Sequence, residues 1–453
     1  MEVLPFVHEG LGNSSYLVAL PGNAAALIDP DRTIDRYLAA AAARDWAITH
    51  VFETHLHADF LSGASEAAAA TGATLFAPAG AGARFSHRPL KPGVAIPLDG
   101  VQAEALATPG HTPEHLAYVF RPPSGPPALF SGGSLIVGGA ARTDLISPQL
   151  TDALTRAQFH SLTEAFNALP GGTALYPTHG GGSFCASGGG GQRTSTLAAE
   201  RLHNPLLAYD SEDDFARSFP ATFPAVPAYF SRMRAINQRG PRPRAEIAAP
   251  PALTPHAFEQ VRPSCVVIDV RPAAEFFEGH IPGAVCIAFR DAFATWLGWL
   301  IPEGSSLLFV TGETPVERVV DEALLVGYER FAGVLEGGMT AWAAAGFAID
   351  RETVIDPGAA QAALQSGALL LDVREPPEVA AGHIESASFI PLGSLPAELA
   401  ALPRERPIIT QCAAGERSAT ALSLLRRAGF RDVSSLRGGS EAWKEAGYSL
   451  TTP

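Results

Sequence analysis

Thr54-His55-Leu56-His57-Ala58-Asp59-Phe60 is the stretch on which the reading of this chain turns. The apolar run Ile48-Thr49-His50-Val51-Phe52 before it is strand-like, and the alanine-rich residues 66–70 after it suit a helix. Two imidazoles and a carboxylate therefore share one strand-to-helix loop. Rigid elements on both sides make such a loop a good place to hold metal ligands.

Working outward, residues 16–20 and 25–29 read as a strand pair around Pro21-Gly22-Asn23. Residues 34–43 and 149–168 read as helices, and 75–78, 105–109, 116–120 and 129–132 as strands. Two further histidines follow apolar runs inside turn-rich segments: Thr108-Pro109-Gly110-His111-Thr112-Pro113 and Tyr176-Pro177-Thr178-His179-Gly180. Imidazole suits Zn and Fe, and three neutral nitrogens leave coordination positions open for chemistry. A glycine-rich loop is expected over 180–191, with Cys185 inside it as either an incidental thiol or one near the metal mouth.

The chain has 453 residues, a net charge of −14 and 47% hydrophobic residues, which suits several globular domains. The acidic balance argues against nucleic acid or an anionic membrane as partner. No basic-then-apolar leader opens the sequence, and its most apolar stretches fall short of the ~20 residues a bilayer requires. A soluble cytoplasmic protein is expected. The four cysteines, Cys185, Cys265, Cys286 and Cys412, form no close pair, so disulfides are not expected.

The C-terminal part repeats itself. Asp269-Val270-Arg271 recurs as Asp372-Val373-Arg374, Gly279-His280-Ile281 as Gly382-His383-Ile384, and Gly337-Gly338 with Trp342 as Gly438-Gly439 with Trp443. The offset is a domain length, not a solenoid period. Proline-rich sequence over 236–255 separates this part from the first. The expected division is therefore residues 1–240, a linker at 241–254, and α/β repeats with parallel sheets at 255–350 and 351–453.

Pro407-Ile408-Ile409-Thr410-Gln411-Cys412 reads as a strand that ends on the thiol. The loop Ala413, Ala414, Gly415, Glu416, Arg417 and Ser418 follows, then a helical run. Loop N–H groups and a helix N-terminus favour an anion there and stabilise a thiolate or persulfide. Arg417 offers a planar fork for the oxyanion of a sulfur donor. The matching segment of the first repeat, Leu307 to Arg318, has no cysteine; Cys265 and Cys286 lie in β-like runs and read as core.

These motifs carry two resemblances. The His-x-His-x-Asp loop, the Thr-Pro-Gly-His segment and the late Pro-x-His-Gly resemble glyoxalase II-like and persulfide dioxygenase members of the metallo-β-lactamase superfamily. So do Arg142-Thr143-Asp144, Glu200-Arg201 with Asn204-Pro205, and Tyr229-Phe230 with Arg232-Met233. That family implies an αββα sandwich. The Cys412 loop and the repeated motifs resemble rhodanese-like domains, the first repeat inactive and the second active. The order of domains resembles persulfide dioxygenase–rhodanese fusions.

Two departures from the first family matter. Its dinuclear hydrolases end the loop in a histidine where this chain has Phe60, which points to a mononuclear centre. Its members carry a metal-binding aspartate where this chain has Gly133. The resemblance then implies His55, His57 and His111 as metal ligands, with Asp59 and His179 in support or at a second site. Mononuclear Fe(II) is the expected cofactor and Zn the alternative. The implied activity converts a low-molecular-weight thiol persulfide, such as glutathione persulfide, and O2 to sulfite and thiol. Sulfane-sulfur exchange with thiosulfate or sulfite at Cys412 is implied alongside it. A zinc thioester hydrolase joined to a sulfurtransferase is the alternative, and a degenerate metal domain with sulfur transfer alone is a third. A homodimer or higher oligomer is compatible with domains of this kind.

Overall fold

The computed structural model describes residues 1–98, 100–188 and 191–452. Two six-stranded sheets build the first part. The first runs in spatial order Val3–His8, Asn13–Ala19, Ala24–Ile28, Ala47–Phe52, Thr74–Pro78, Arg88–Leu90; it begins antiparallel and turns parallel from Ala24–Ile28 onward. The second is ordered Ser195–Thr196, Ala174–Pro177, Ala128–Gly132, Leu116–Arg121, Val101–Ala107, Ala95–Leu98.

Strand alternation explains the layers. Tyr16, Val18, Ile28, Phe52 and Phe76 of the first sheet meet Ala103, Tyr118, Phe120 and Phe130 of the second in a common core. The alternate residues Leu17, Leu27, Val51 and Leu75 face outward onto Tyr37, Ala41, Ala64 and Ala67 of the helices Asp35–Ala42 and Ala64–Thr71. On the opposite side Val119, Leu129 and Leu175 pack on Leu162, Phe166, Phe215 and Phe219. The result is the αββα sandwich.

Some expectations shift. The helix expected over 149–168 is α-helical only at Thr151–His160 and closes in a π-turn, Ser161–Ala165. Within the glycine-rich loop, Ala186–Gly188 pairs as a short strand with Gly139–Ala141, whereas residues 189 and 190 lie outside the described residues. The proline-rich stretch is shorter than its composition suggests. Phe230–Arg239 continues a helix until Gly240, and Ala252–Leu253 is already an edge strand. Proline breaks the chain only where it stands.

The repeats form two five-stranded parallel sheets with the same order. In the first this is Ala252–Leu253, Phe331–Leu335, Leu307–Val310, Val266–Asp269, Val285–Cys286. In the second it is Thr353–Ile355, Val433–Leu436, Ile408–Gln411, Leu369–Asp372, Ser388–Phe389. The repeated motifs are staples. Arg271 pairs with Asp269 at 2.6 Å and donates to the Gly279 carbonyl at 2.8 Å; Arg374 does the same with Asp372 at 2.8 Å and Gly382 at 2.9 Å. His280 stacks on Phe276, 3.8 Å between ring centres. The helix Glu416–Arg427 is buried from residue 418 to 425, and its Ala419 belongs to the first repeat's core. Its Ser423 hydroxyl accepts the Cys286 N–H at 3.1 Å. No helix among the described residues is long and apolar enough to cross a membrane.

Candidate metal centre and cysteine loop

The strand Ala47–Phe52 delivers Glu53, Thr54, His55, His57 and Asp59 into the first part, and all five are buried. His111 and His179 arrive from turns after Val101–Ala107 and Ala174–Pro177. Donor atoms of His55, His111 and His179 lie within 4.8 Å of one another, as do those of His57, Asp59 and His179.

Each member of the first triplet is oriented the same way. His55 Nδ1 is 2.8 Å from the Thr54 hydroxyl, which itself donates to Asp29 at 2.7 Å. His111 Nδ1 is 2.7 Å from the Arg142 carbonyl, and His179 Nδ1 is 3.0 Å from Asn13 Oδ1 and 3.1 Å from Asp59 Oδ2. An N–H given outward at Nδ1 leaves the Nε2 lone pair facing inward. His55 and His179 face each other through Nε2 at 3.3 Å, and His111 Nε2 has no hydrogen-bond partner. Burial, with the neighbouring imidazoles, holds His55 well below the usual histidine range; burial and His179 bring His111 down to about 3. Neutral, inward nitrogens suit a transition metal.

His57 is turned the other way. Its Nε2 lies 3.0 Å from Glu53 and 3.5 Å from Asp29, leaving a buried Nδ1 without a partner. Burial alone lowers this imidazole, but the Asp29 and Glu53 carboxylates outweigh it and push it up to about 10. A metal cation held at Nδ1 would take the place of that second proton. Of the expected set, His55 and His111 stand with His179, whereas His57 stands with Asp59 and His179 and also with Asp29 and His55. The two buried carboxylates that draw off His57 Nε2 explain the difference. Burial opposes ionisation of Asp59, yet the His179 imidazole, with His57, holds it at about 2.

The two departures have physical form. Phe60 is buried and stacked on His57, 4.2 Å between ring centres at 27°. At Gly133 a Cβ would sit 2.6 Å from His111 Cδ2 and 3.0 Å from the Ala141 Cβ. The His111 ring thus fills the space a side chain needs.

Several residues of this centre escaped the sequence reading. Asp29 accepts from the Thr54 amide and the Thr54 and Thr178 hydroxyls. Its signal was Ile28-Asp29-Pro30 at a strand end, with φ of +46°. His115 lies two residues beyond the stretch Thr108–Pro113, and its Nε2 accepts the Gly133 N–H at 3.0 Å and is taken up there. Arg234 grips Glu114 at 2.8 and 2.9 Å. Cys185 is buried beside Asp59, and burial together with that carboxylate pushes its thiol well up. A cavity of about 220 Å³ opens on His111, lined by Leu56, Leu145, Ile146, Phe230 and Arg234.

In the second repeat, Ile408–Gln411 ends on buried Cys412. Its sulfur accepts the Gly415 N–H at 3.1 Å and lies 3.8 Å from the Ser418 hydroxyl. Ala413 and Ala414 complete the turn, and Glu416 opens the following helix. Gly439 carries the loop. At φ +57°, its Cβ would fall 2.0 Å from the Cys412 carbonyl oxygen, and the Ser440 N–H donates to that oxygen at 2.8 Å. Arg417 departs from expectation: both its terminal nitrogens are 2.6 Å from Glu378. Cys286 is buried, with its thiol pushed well up by burial, and Cys265 is partly exposed beside Ser264.

Residues 8–179 match the metallo-beta-lactamase superfamily, and residues 256–345 and 356–446 each match the rhodanese-like domain. A hydroxyacylglutathione hydrolase of Polaromonas sp. is 35% identical over 170 residues, 37% of this chain and 62% of that relative's length. A sulfurtransferase of Allochromatium vinosum is 35% identical over 85 residues, 19% of this chain and 79% of its own length. A crystal structure of a metallo-beta-lactamase from Staphylococcus aureus superposes with a TM-score of 0.65 at 26% identity, covering 74% of this chain and 98% of that one. The chain belongs to the rhodanese-like family through its two repeats and carries, ahead of them, a domain of the metallo-beta-lactamase superfamily.

Proposed function

We propose that the chain is a sulfur-metabolism enzyme that oxidises a low-molecular-weight thiol persulfide with O2 and transfers sulfane sulfur through Cys412. The first reaction takes persulfide, O2 and water to thiol, sulfite and two protons. The observation that carries it is the Phe60 ring against His57, which replaces a second-metal ligand with a side chain that cannot bind metal. His55, His111 and His179, with His57 and Asp59 beside them, are the residues that would hold the metal. Iron there supplies electron exchange with O2, whereas zinc supplies Lewis-acid polarisation only. The chain's own part is orientation and exclusion of water. Asn13, Thr54 and the Arg142 carbonyl fix the imidazoles, and Leu56, Leu145, Ile146 and Phe230 line the apolar part of an approach that also carries Arg234 and Gln238.

At the second site the Cys412 thiolate attacks the outer sulfur of R–S–SH. A Cys412–S–SH persulfide forms, the donor S–S bond breaks and R–S⁻ departs. The Gly415 N–H stabilises negative charge on the sulfur throughout.

The similarity to hydroxyacylglutathione hydrolases favours a second reading, zinc-dependent cleavage of a glutathione thioester. Metal content of anaerobically purified protein, measured with O2 uptake on glutathione persulfide, separates the two. Iron with uptake and sulfite release supports oxidation. Zinc with S-acylglutathione cleavage and no uptake supports hydrolysis, and protein without stoichiometric metal overturns both.

A further inference from the structure

We infer that Glu378 sets the donor specificity of the Cys412 site, turning it away from thiosulfate and toward persulfides whose carrier bears no negative charge next to the sulfur. This rests on the sulfur-transfer reading of Cys412. The loop Ala413-Ala414-Gly415-Glu416-Arg417-Ser418 contains one cation, Arg417. A guanidinium recognises a sulfonate-like group with the same fork it offers a carboxylate. Here that fork is spent, because Nη1 and Nη2 each lie 2.6 Å from a different Glu378 oxygen. The pair is partly shielded, with side chains 15% and 35% exposed. Glu378 is itself fixed, since it accepts the Glu375 N–H at 3.0 Å in a reciprocal helix cap.

Among the described residues, the other arginines near the loop are Arg374, Arg437 and Arg351, the last exposed on the rim of the adjoining cavity. Arg374 is bound to Asp372, and Arg437 pairs with Asp356 at 2.7 Å. The cavity of about 560 Å³ that borders Ala414 and Gly415 adds Glu278 and Glu416 against Arg351, since its Glu352 is paired with Arg426 at 2.8 Å and its Arg437 with Asp356. Thiosulfate brings two negative charges to this surface, and its leaving group, sulfite, departs with two. A persulfide on an uncharged carrier brings at most the single charge of its own ionised outer sulfur, and its thiolate leaves with one. Transfer from thiosulfate moves its outer sulfur to Cys412 and breaks the S–S bond to release sulfite. The bonds made and broken match those of the persulfide reaction, so electrostatics separates the donors.

The test loads the full-length protein with sulfur from thiosulfate or from an alkyl persulfide whose carrier is uncharged, and reads Cys412 persulfide by intact mass and stopped-flow rate. The wild-type protein is expected to load from the alkyl persulfide at least ~10-fold faster per molar donor. Glu378→Gln keeps the cap acceptor and frees Arg417; it is expected to raise kcat/KM for thiosulfate by ~10-fold, with a new inverse dependence on salt, and to change the alkyl persulfide rate little. Equal wild-type loading from both donors overturns the specificity assignment while leaving sulfur transfer intact. An unchanged thiosulfate rate in a folded Glu378→Gln protein overturns the role of Glu378. Loading from neither donor in the wild type overturns sulfur transfer at Cys412 and this inference with it.

Discussion

The two repeats share a frame and differ in one loop, and their paired glycines show where the difference lies. Gly439 lies directly under the Cys412 carbonyl, so that a methyl group there has no room. Its counterpart Gly338 has the same φ of +57° and nothing within 4 Å of the methyl position. The Asp–Arg staple, the tryptophan and the sheet order are common to both. The motifs that make the repeat detectable are therefore those of the frame, and they persist where the chemistry has gone. Reactivity belongs to a loop seated on a glycine, not to the fold that presents it.

The largest test of this contrast is the nucleophile. Cys412→Ser should lower thiocyanate formation from cyanide and a persulfide donor by at least ~10³-fold. Placing a thiol in the other loop, Thr311→Cys in the Cys412→Ser background, should restore nothing. Recovery there would break the distinction between frame and loop.

The frame itself should respond alike in both repeats. Trp342→Ala and Trp443→Ala each empty a buried site and should cost about 3–5 kcal/mol of unfolding free energy in denaturant titrations. A loss confined to one of them would mean that the repeats do not share a core design. The glycines should differ. Gly338→Ala should cost only the left-handed backbone penalty, about 1–2 kcal/mol, with sulfur transfer retained. Gly439→Ala should add the steric displacement of Cys412 and lower transfer ~10-fold or more beyond any loss of stability.

A smaller test compares the repeats with the metal domain, where a glycine also marks a lost group. Gly133→Asp should not rebuild a metal ligand, because His111 is held by the Arg142 carbonyl and cannot yield the space. Overpacking of about 1–3 kcal/mol and weaker metal retention are expected, read by thermal denaturation and metal analysis.

Much of this was legible beforehand because it is written in local pattern. Alternation gave the strands around His55, and repetition gave the two parallel sheets. What escaped depends on partners distant in sequence. Glu53, four residues before His57, takes its Nε2 together with Asp29, and only the first of these is local in sequence, so the inward turn of the other nitrogen is not legible near His57. Arg417 looked available because Glu378 stands 39 residues away in sequence. The linker was drawn too long because composition counts prolines over a window, whereas a helix ends only where a backbone donor or dihedral fails.

The helix that follows Cys412 places Ala419 in the other repeat's core and receives the Cys286 N–H on Ser423. A gene fragment encoding the second repeat alone would expose that apolar face and leave the Ser423 hydroxyl without the Cys286 N–H. Aggregation-prone product is the expected fate of such a fragment. For recombination or engineering, the transferable cassette is the pair. The repeat without the loop cysteine supplies part of the apolar cover of the repeat that carries Cys412.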